Sequence, residues 1–128
     1  MAAPAWIGLA LFVVTMPAHF LLETDDSLAL AAVTLALIGG TYIGFGAADG
    51  RRSVFWTELG VAAFFGAAAV SGLLWHWVAL PLGLAVHALW DLAHHNVGRL
   101  ARVPHWYIPF CVVFDLIAAA FLVLLYTR

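Results

Sequence analysis

The sequence contains no lysine, a single cysteine and few charged residues. All five basic residues are arginines, which excludes a lysine Schiff base to retinal or to another carbonyl compound. Cys111 has no second cysteine to pair with, so an internal disulfide is excluded. The cysteine content therefore does not indicate whether the protein faces an oxidising or a reducing compartment. Charged residues make up 9% of the 128 residues, and the formal net charge is −2. This balance indicates neither a nucleic-acid surface nor a field that attracts acidic substrates.

Apolar residues dominate the chain instead. They account for 66% of it, against ~45–50% in soluble domains, and apolar runs near 20 residues recur along the sequence. The pattern predicts an all-α polytopic membrane protein with five transmembrane helices in one bundle. The bundle is expected to form a single domain, residues 1–128, with spans at about 4–22, 28–48, 54–75, 79–97 and 108–126. Residues 1–5 lack the basic region of a signal peptide, so the first span is expected to be kept.

The arginines predict the orientation of these spans. Arg51 and Arg52 lie in one predicted loop, and Arg99 and Arg102 lie in another. Alternating spans place both loops and the N-terminus on the same side, which the positive-inside rule assigns to the cytoplasm. We therefore expect an integral membrane protein with a cytoplasmic N-terminus. Arg99 and Arg102 are also suited to binding a lipid phosphate.

The most informative stretch is 86–96, which reads V-H-A-L-W-D-L-A-H-H-N. On a helix that turns ~100° per residue, His87, Asp91 and His94 fall within ~60° of one another, and His95 lies beside them. The rise of ~1.5 Å per residue places Asp115 of the last span at a similar depth, and Glu58 enters from the same side. The sequence predicts a polar cluster in the cytoplasmic half of the bundle.

Ionisable groups at this depth are costly and need compensation. A divalent metal provides it, and we expect the ligands to be His87, Asp91, His94 and Asp115, an N2O2 set that suits zinc or non-haem iron. The predicted catalytic residues are Asp91, Asp115, Glu58 and His95. The alternatives are a metal-free His–Asp network that joins helices or relays protons, and a haem or other ligand.

Further residues receive simpler predictions. Gly40 and Gly44 have the small-xxx-small spacing that permits close helix packing. Cys111 is interpreted as a small packing residue one turn from Asp115. His19 and Glu23 are expected to form either the outer rim of the same cavity or a separate interfacial pair.

Three resemblances bear on function. Asp91–His95, D-x-x-H-H, resembles the H-x-x-H-H box of membrane fatty-acid hydroxylases and desaturases, with Asp91 in place of the first histidine. Those families carry several such boxes around two irons, whereas this chain has six histidines in all. In residue types, the site is similar to the zinc sites of ceramidase-like and progestin-receptor-like membrane hydrolases. H-A-L-W-D-L-A-H-H followed by V-P-H-W-Y-I-P-F-C-V-V-F-D resembles a family of small bacterial multispanning proteins without an assigned function. The resemblance implies a shared polar site and a location in a bacterial inner membrane.

These observations predict a membrane-embedded, metal-dependent enzyme, a hydrolase or oxidoreductase, that acts on a lipid or isoprenoid. Two other functions use the same residues. One is a proton-coupled transporter or relay, because intramembrane Asp/His chains also move protons. The other is a non-catalytic assembly subunit. Membrane lipid is the expected partner, no nucleic acid is expected, and a homo-oligomer is compatible with the sequence.

Overall fold

The computed structural model describes residues 2–128, and within that range it consists of helices and turns without a β-strand. The helices are α1 (Ala3–Thr15), α2 (Ala18–Leu21), α3 (Thr24–Asp49), α4 (Arg52–Leu74), α5 (Ala79–Ala93) and α6 (Tyr107–Tyr126). The all-helical prediction is confirmed. Four segments are long and apolar enough to cross a membrane, namely Ala3–Leu21, Thr24–Asp49, Arg52–Leu74 and Tyr107–Tyr126.

The first predicted span is broken near its far end. α1 ends at Thr15 and α2 begins at Ala18, with Pro17 between them. Proline has no backbone N–H, and its ring clashes with the carbonyl of the residue four positions earlier, so it interrupts a helix at this point. The interruption turns the chain and places His19 against the start of α3.

The fourth predicted span is shorter than expected, and this corrects the count of full-length spans from five to four. α5 has 15 residues, which corresponds to ~22 Å and falls short of the ~30 Å hydrocarbon core. It ends at Ala93 instead of residue 97, and residues 94–106 that follow are mostly turns. α5 is therefore a short apolar helix with one face packed in the bundle and another, carrying Leu82 and Leu89, exposed.

The helices alternate in direction, and the arginine loops meet at one end of the bundle. α3 packs against α4, α5 against α6 and α4, and α1 against α6. At the tight turn after α3, Gly50 has φ of +84°, a left-handed conformation that glycine adopts readily. The Arg51 guanidinium donates to the carbonyl oxygens of Gly98 and Leu100 and to the Asp49 carboxylate. These bonds tie the first arginine loop to the second.

Close helix approach depends on glycines other than the predicted pair. A Cβ added at Gly40 or Gly44 would meet no described atom within 4 Å, so the small-xxx-small interpretation of these two residues is wrong. Between α3 and α4 the close approaches are made by Gly39, where an added Cβ would lie 2.5 Å from Phe65 Cβ, and by Gly46, where it would lie 3.1 Å from Glu58 Cβ. Both glycines face α4, which explains how α3 and α4 pack along most of their length.

Candidate metal site

Four potential metal ligands meet where α5 packs against α6. We name this group the His87 cluster; its members are His87 and Asp91 on α5 and Cys111 and Asp115 on α6. One ligand atom from each residue lies within 4.8 Å of the other three, and all four residues are buried. On each helix the two members are four residues apart, so the helical period places them on the same face.

One imidazole nitrogen lies close to two carboxylates in this cluster. His87 Nδ1 lies 2.7 Å from Asp115 Oδ2 and 3.3 Å from Asp91 Oδ2. Cys111 Sγ lies 3.9 Å from His87 Nδ1 and 3.7 Å from Asp115 Oδ2. Since Nδ1 carries at most one proton, it cannot donate fully to both aspartates. The carboxylates are therefore only partly compensated by the imidazole.

Several buried polar atoms of the His87 cluster have no hydrogen-bond partner within residues 2–128. They are His87 Nε2, Asp91 Oδ2 and Asp115 Oδ1. A buried polar atom without a partner costs about 1–3 kcal/mol, and more when it is charged. A divalent cation between the carboxylates would supply the missing positive charge. The combination of one imidazole, two carboxylates and one thiol fits such an ion.

Residues of α3 and α4 hold the His87 cluster from the other side. Tyr42 Oη donates a hydrogen bond to Asp91 Oδ1, which leaves Oδ2 of the same carboxylate facing His87. The Phe65 ring contacts the His87 ring edge-on with centroids 4.9 Å apart. Tyr42 and Phe65 are both buried. Together they fix the orientation of Asp91 and His87 and exclude water from this side.

A second polar group lies towards the arginine loops. We name it the Glu58 cluster; it consists of Glu58, Trp90, His94 and Ala101. Glu58 Oε1 lies 2.7 Å from His94 Nε2 and accepts from the Ala101 N–H at 2.9 Å, while Oε2 accepts from Trp90 Nε1 at 3.2 Å. His94 Nδ1 lies 2.7 Å from the carbonyl oxygen of Trp90. This cluster joins α4, α5 and the second arginine loop.

His94 was predicted to be a metal ligand, and the structure places it in the Glu58 cluster. A carbonyl oxygen only accepts hydrogen bonds, so Nδ1 must carry a proton, and Nε2 faces a carboxylate. Both ring nitrogens are thus engaged, and His94 has no lone pair directed at the His87 cluster. The Tyr42 ring separates the two groups, with its centroid 4.6 Å from that of His94.

The remaining predicted catalytic residues lie apart from the His87 cluster. Glu58 is fully buried, but its carboxylate already accepts two N–H groups in addition to facing His94. His95 is exposed in the turn that follows α5. Of the predicted residues, the structure brings together His87, Asp91 and Asp115.

His19 belongs to a separate polar contact at the opposite end of the bundle. His19 Nδ1 lies 2.7 Å from Ser27 Oγ, which lies 2.6 Å from Tyr126 Oη. Glu23 is exposed at the start of α3. Tyr126 follows Asp115 by eleven residues on α6, a rise of ~16 Å, and the buried residues between them are apolar: Ala118, Ala119 and Leu122. His19 is therefore remote from the His87 cluster.

A cavity of about 480 Å³ leads to the His87 cluster from the side of the bundle. We name it the lateral groove. It is formed by α1, α3, α6, the start of α2 and the break between α1 and α2, and its lining residues are Leu11, Val14, Thr15, Met16, Ala18, Leu30, Thr34, Leu37, Ile38, Thr41, Tyr107, Phe110, Cys111 and Phe114. Leu11 and Val14 are exposed on the outside of the bundle, whereas Cys111 is buried. The lateral groove therefore connects the lipid-facing surface with one member of the His87 cluster.

Cys111 and Tyr42 are the two site residues that sequence reasoning did not assign to the site. A signal for Cys111 was present, because it precedes Asp115 by four residues and shares its helix face. No comparable signal exists for Tyr42, whose partner Asp91 lies 49 residues later in the chain.

Comparison with known proteins identifies a family but no function. No curated protein and no solved structure matches the chain. No matching relative supports the resemblance of residues 91–95 to a histidine box, whereas the predicted membership in a family without an assigned function is confirmed. The model of the family of unknown function DUF6010 matches residues 1–127, and the chain belongs to this family.

Proposed function

We propose that this protein is a membrane-embedded, metal-dependent enzyme, a hydrolase or oxidoreductase, that acts on a lipid or isoprenoid. The observation that carries the proposal is the His87 cluster, in which four buried ligand atoms lie within 4.8 Å of one another. The lateral groove supports it, because a site for an apolar substrate needs an opening towards the hydrocarbon. Transport would instead require a polar path to both ends of the bundle.

The chemistry follows from the ligands and their neighbours. His87, Asp91, Cys111 and Asp115 would hold zinc or iron, and such an ion lowers the pKa of a bound water or activates oxygen. Tyr42 fixes Asp91 through the hydrogen bond to Oδ1, so Oδ2 is the oxygen of this carboxylate that remains to hold the ion. We assign Asp91 to the ligand set for this reason, and we assign a structural role to Glu58 and His94.

The arginine loops orient the proposed enzyme. The two loops are in direct contact, and by the positive-inside rule we place them in the cytoplasm. Asp115 lies eight residues after Tyr107, the first residue of α6, which is ~12 Å along the helix. The proposed reaction therefore takes place in the cytoplasmic half of the membrane.

A proton relay is the second candidate, favoured by the direct contacts of His87 with Asp91 and Asp115. These three side chains could exchange protons over distances of 2.7–3.3 Å. The apolar stretch of α6 between Asp115 and Tyr126 argues against continuation of a relay to the opposite end.

Elemental analysis of the purified protein tests the proposal. We expect about one equivalent of zinc or iron per chain, and we expect Asp115→Asn and His87→Ala to lose it. His95→Ala is the matched control, since His95 is exposed and lies outside the His87 cluster. Less than about half an equivalent, unchanged by His87→Ala, would end the metal hypothesis.

Enzymatic action requires a second measurement. The metal-loaded protein and its Asp115→Asn variant are incubated with vesicles of a total membrane lipid extract, and the lipids are analysed by mass spectrometry. We expect at least one lipid species to decrease, with a matching product, only with the unsubstituted protein. A metal-loaded protein that leaves every lipid unchanged while conducting protons in vesicles would favour the relay instead.

A further inference from the structure

The lateral groove has the shape and lining of a site for a single apolar chain. Its volume of about 480 Å³ falls in the range of ~300–1,000 Å³ that is typical of small-molecule sites. On α3 its lining extends from Leu30 to Thr41, eleven residues or ~16 Å. This is about half of the ~30 Å hydrocarbon core of a bilayer. A long, narrow groove of this size accommodates one extended chain lengthwise.

The polar groups in the groove wall are not available to a polar ligand. The hydroxyl groups of Thr15, Thr34 and Thr41 each donate to the carbonyl oxygen four residues earlier in their own helix. Their methyl groups and the neighbouring aliphatic side chains therefore form the surface that a ligand meets. Along most of its length the groove is chemically matched to hydrocarbon.

The two ends of the lateral groove differ. At one end the chain turns at Met16 and Ala18, beside Leu30, and all three residues are apolar. At the other end lie Tyr107 and Cys111, with Cys111 Sγ 3.7 Å from Tyr107 Oη and 3.7 Å from Asp115 Oδ2. A chain in the groove would place its tail near the turn and its more polar end beside the His87 cluster.

The surface near this polar end favours an anionic headgroup. α6 begins at Tyr107, and the preceding loop carries Arg99, Arg102 and His105, all exposed. Arg51 is already bound to carbonyl groups and to Asp49, whereas Arg99 and Arg102 are exposed in this loop, which the positive-inside rule assigns to the cytoplasmic surface of the membrane. Guanidinium groups in such a position bind lipid phosphate.

We propose that the lateral groove binds one acyl chain of an anionic phospholipid, with the phosphate near Arg99 and Arg102 and the first part of the chain beside Cys111. The assignment of this lipid as the substrate rests on the proposed metal-dependent function. The proposal that the acyl chain binds in the groove does not rest on that function, because the groove lining shares only Cys111 with the His87 cluster.

A matched pair of substitutions on α3 tests the binding. Thr34→Trp places an indole inside the groove, whereas Val33→Trp places the same group at the next residue, whose side chain is 55% exposed outside the groove. The proteins are reconstituted in phosphatidylcholine vesicles that contain phosphatidylglycerol with a diazirine in one acyl chain. After illumination, labelled peptides are identified by mass spectrometry.

We expect labels on groove residues such as Leu37, Ile38 and Phe114. Labelling of these residues should fall about tenfold in Thr34→Trp and stay unchanged in Val33→Trp. A tenfold loss corresponds to a difference of ~1.4 kcal/mol in the free energy of binding. Labels spread evenly over the lipid-facing residues, or equal labelling in both variants, would overturn the proposal. Thr41→Phe, which narrows the groove beside Tyr107, is the second blocking variant in case Thr34→Trp reduces folding.

Further measurements test the headgroup, the type of chain and the link to metal binding separately. The same acyl chain on phosphatidylcholine should label the groove less strongly, and equal labelling would overturn the role of the arginines. Stronger groove labelling by a diazirine-bearing isoprenyl phosphate would overturn the choice of an acyl chain. Metal content should be the same in Thr34→Trp and Val33→Trp. Unsubstituted protein that binds metal but shows no specific labelling of the groove would overturn the lipid proposal alone, whereas groove labelling in protein that binds no metal would overturn the metal-dependent function alone.

Discussion

The two polar clusters both contact the Tyr42 ring, and they differ in how completely their polar atoms are paired. In the Glu58 cluster both carboxylate oxygens and both nitrogens of His94 have partners. In the His87 cluster an imidazole nitrogen and two carboxylate oxygens have no partner within the described part of the chain. Fully paired polar networks stabilise one arrangement of helices, whereas partly paired ones are costly unless a ligand completes them. The comparison supports a structural role for the Glu58 cluster and the proposed chemical role for the His87 cluster.

The largest expected effect comes from breaking the paired cluster. Glu58→Ala leaves the Trp90 indole N–H, the Ala101 N–H and His94 without their shared acceptor, so we expect a loss of about 3–5 kcal/mol in the free energy of unfolding. Asp115→Asn should change stability far less in metal-free protein, because it removes a carboxylate that is only partly compensated. Unfolding in detergent, followed by circular dichroism, measures both.

Metal content provides the control for this contrast. The folded fraction of Glu58→Ala should retain its metal, whereas Asp115→Asn should not. Glu58→Gln keeps an acceptor for the N–H groups of Trp90 and Ala101, so it should be more stable than Glu58→Ala. It is the variant to compare with Asp115→Asn if Glu58→Ala fails to fold. If Asp115→Asn were as destabilising as Glu58→Ala, the difference between the clusters would be unfounded.

A smaller effect is expected from the residue that links the two clusters. Tyr42→Phe keeps the ring that contacts His94 but removes the hydrogen bond to Asp91 Oδ1. Residues that orient metal ligands typically contribute 10–100-fold to metal affinity, so we expect a loss in that range. Competition with a chelator of known affinity measures it. Phe45→Leu is the control, because Phe45 contacts the Tyr42 ring without bonding to the cluster. Equal affinity in Tyr42→Phe and the unsubstituted protein would remove Tyr42 from the site.

Much of the architecture was predictable, because hydropathy and helical periodicity act over short stretches of sequence. The apolar runs located the long helices, and the four-residue spacing placed His87 and Asp91 on one face of α5. The direct connection between α5 and α6, residues 94–106, then made Asp115 their neighbour. These inferences need only local pattern and chain connectivity.

The pairing of polar groups was less predictable, because it depends on contacts between distant parts of the sequence. His94 and Glu58 are 36 residues apart, and Asp91 and Tyr42 are 49 residues apart. Periodicity placed His94 on the same stripe as His87, but α5 ends at Ala93 and the next turn directs His94 towards α4. The lateral groove likewise depends on the packing of α1 against α6. No local pattern encodes that choice.

The smallest predicted effect comes from a glycine behind the Glu58 cluster. A Cβ at Gly46 would lie 3.1 Å from Glu58 Cβ and 3.3 Å from Phe55 Cα, so α4 must shift by a few tenths of an ångström to accept it. We expect Gly46→Ala to destabilise the protein by about 1 kcal/mol, with unchanged metal content.

Gly44→Ala is the control, because Gly44 lies two residues away on the same helix and an added Cβ would meet no described atom within 4 Å. It should stabilise the protein by about 0.4–1 kcal/mol through the lower entropy of the unfolded chain. Opposite signs in these two variants, measured by unfolding in the same detergent, would show that the position of Glu58 is set by close packing of α3 against α4. A loss of metal in Gly46→Ala would instead show that the two clusters are coupled through Tyr42, and that the Glu58 cluster contributes to metal binding as well as to stability.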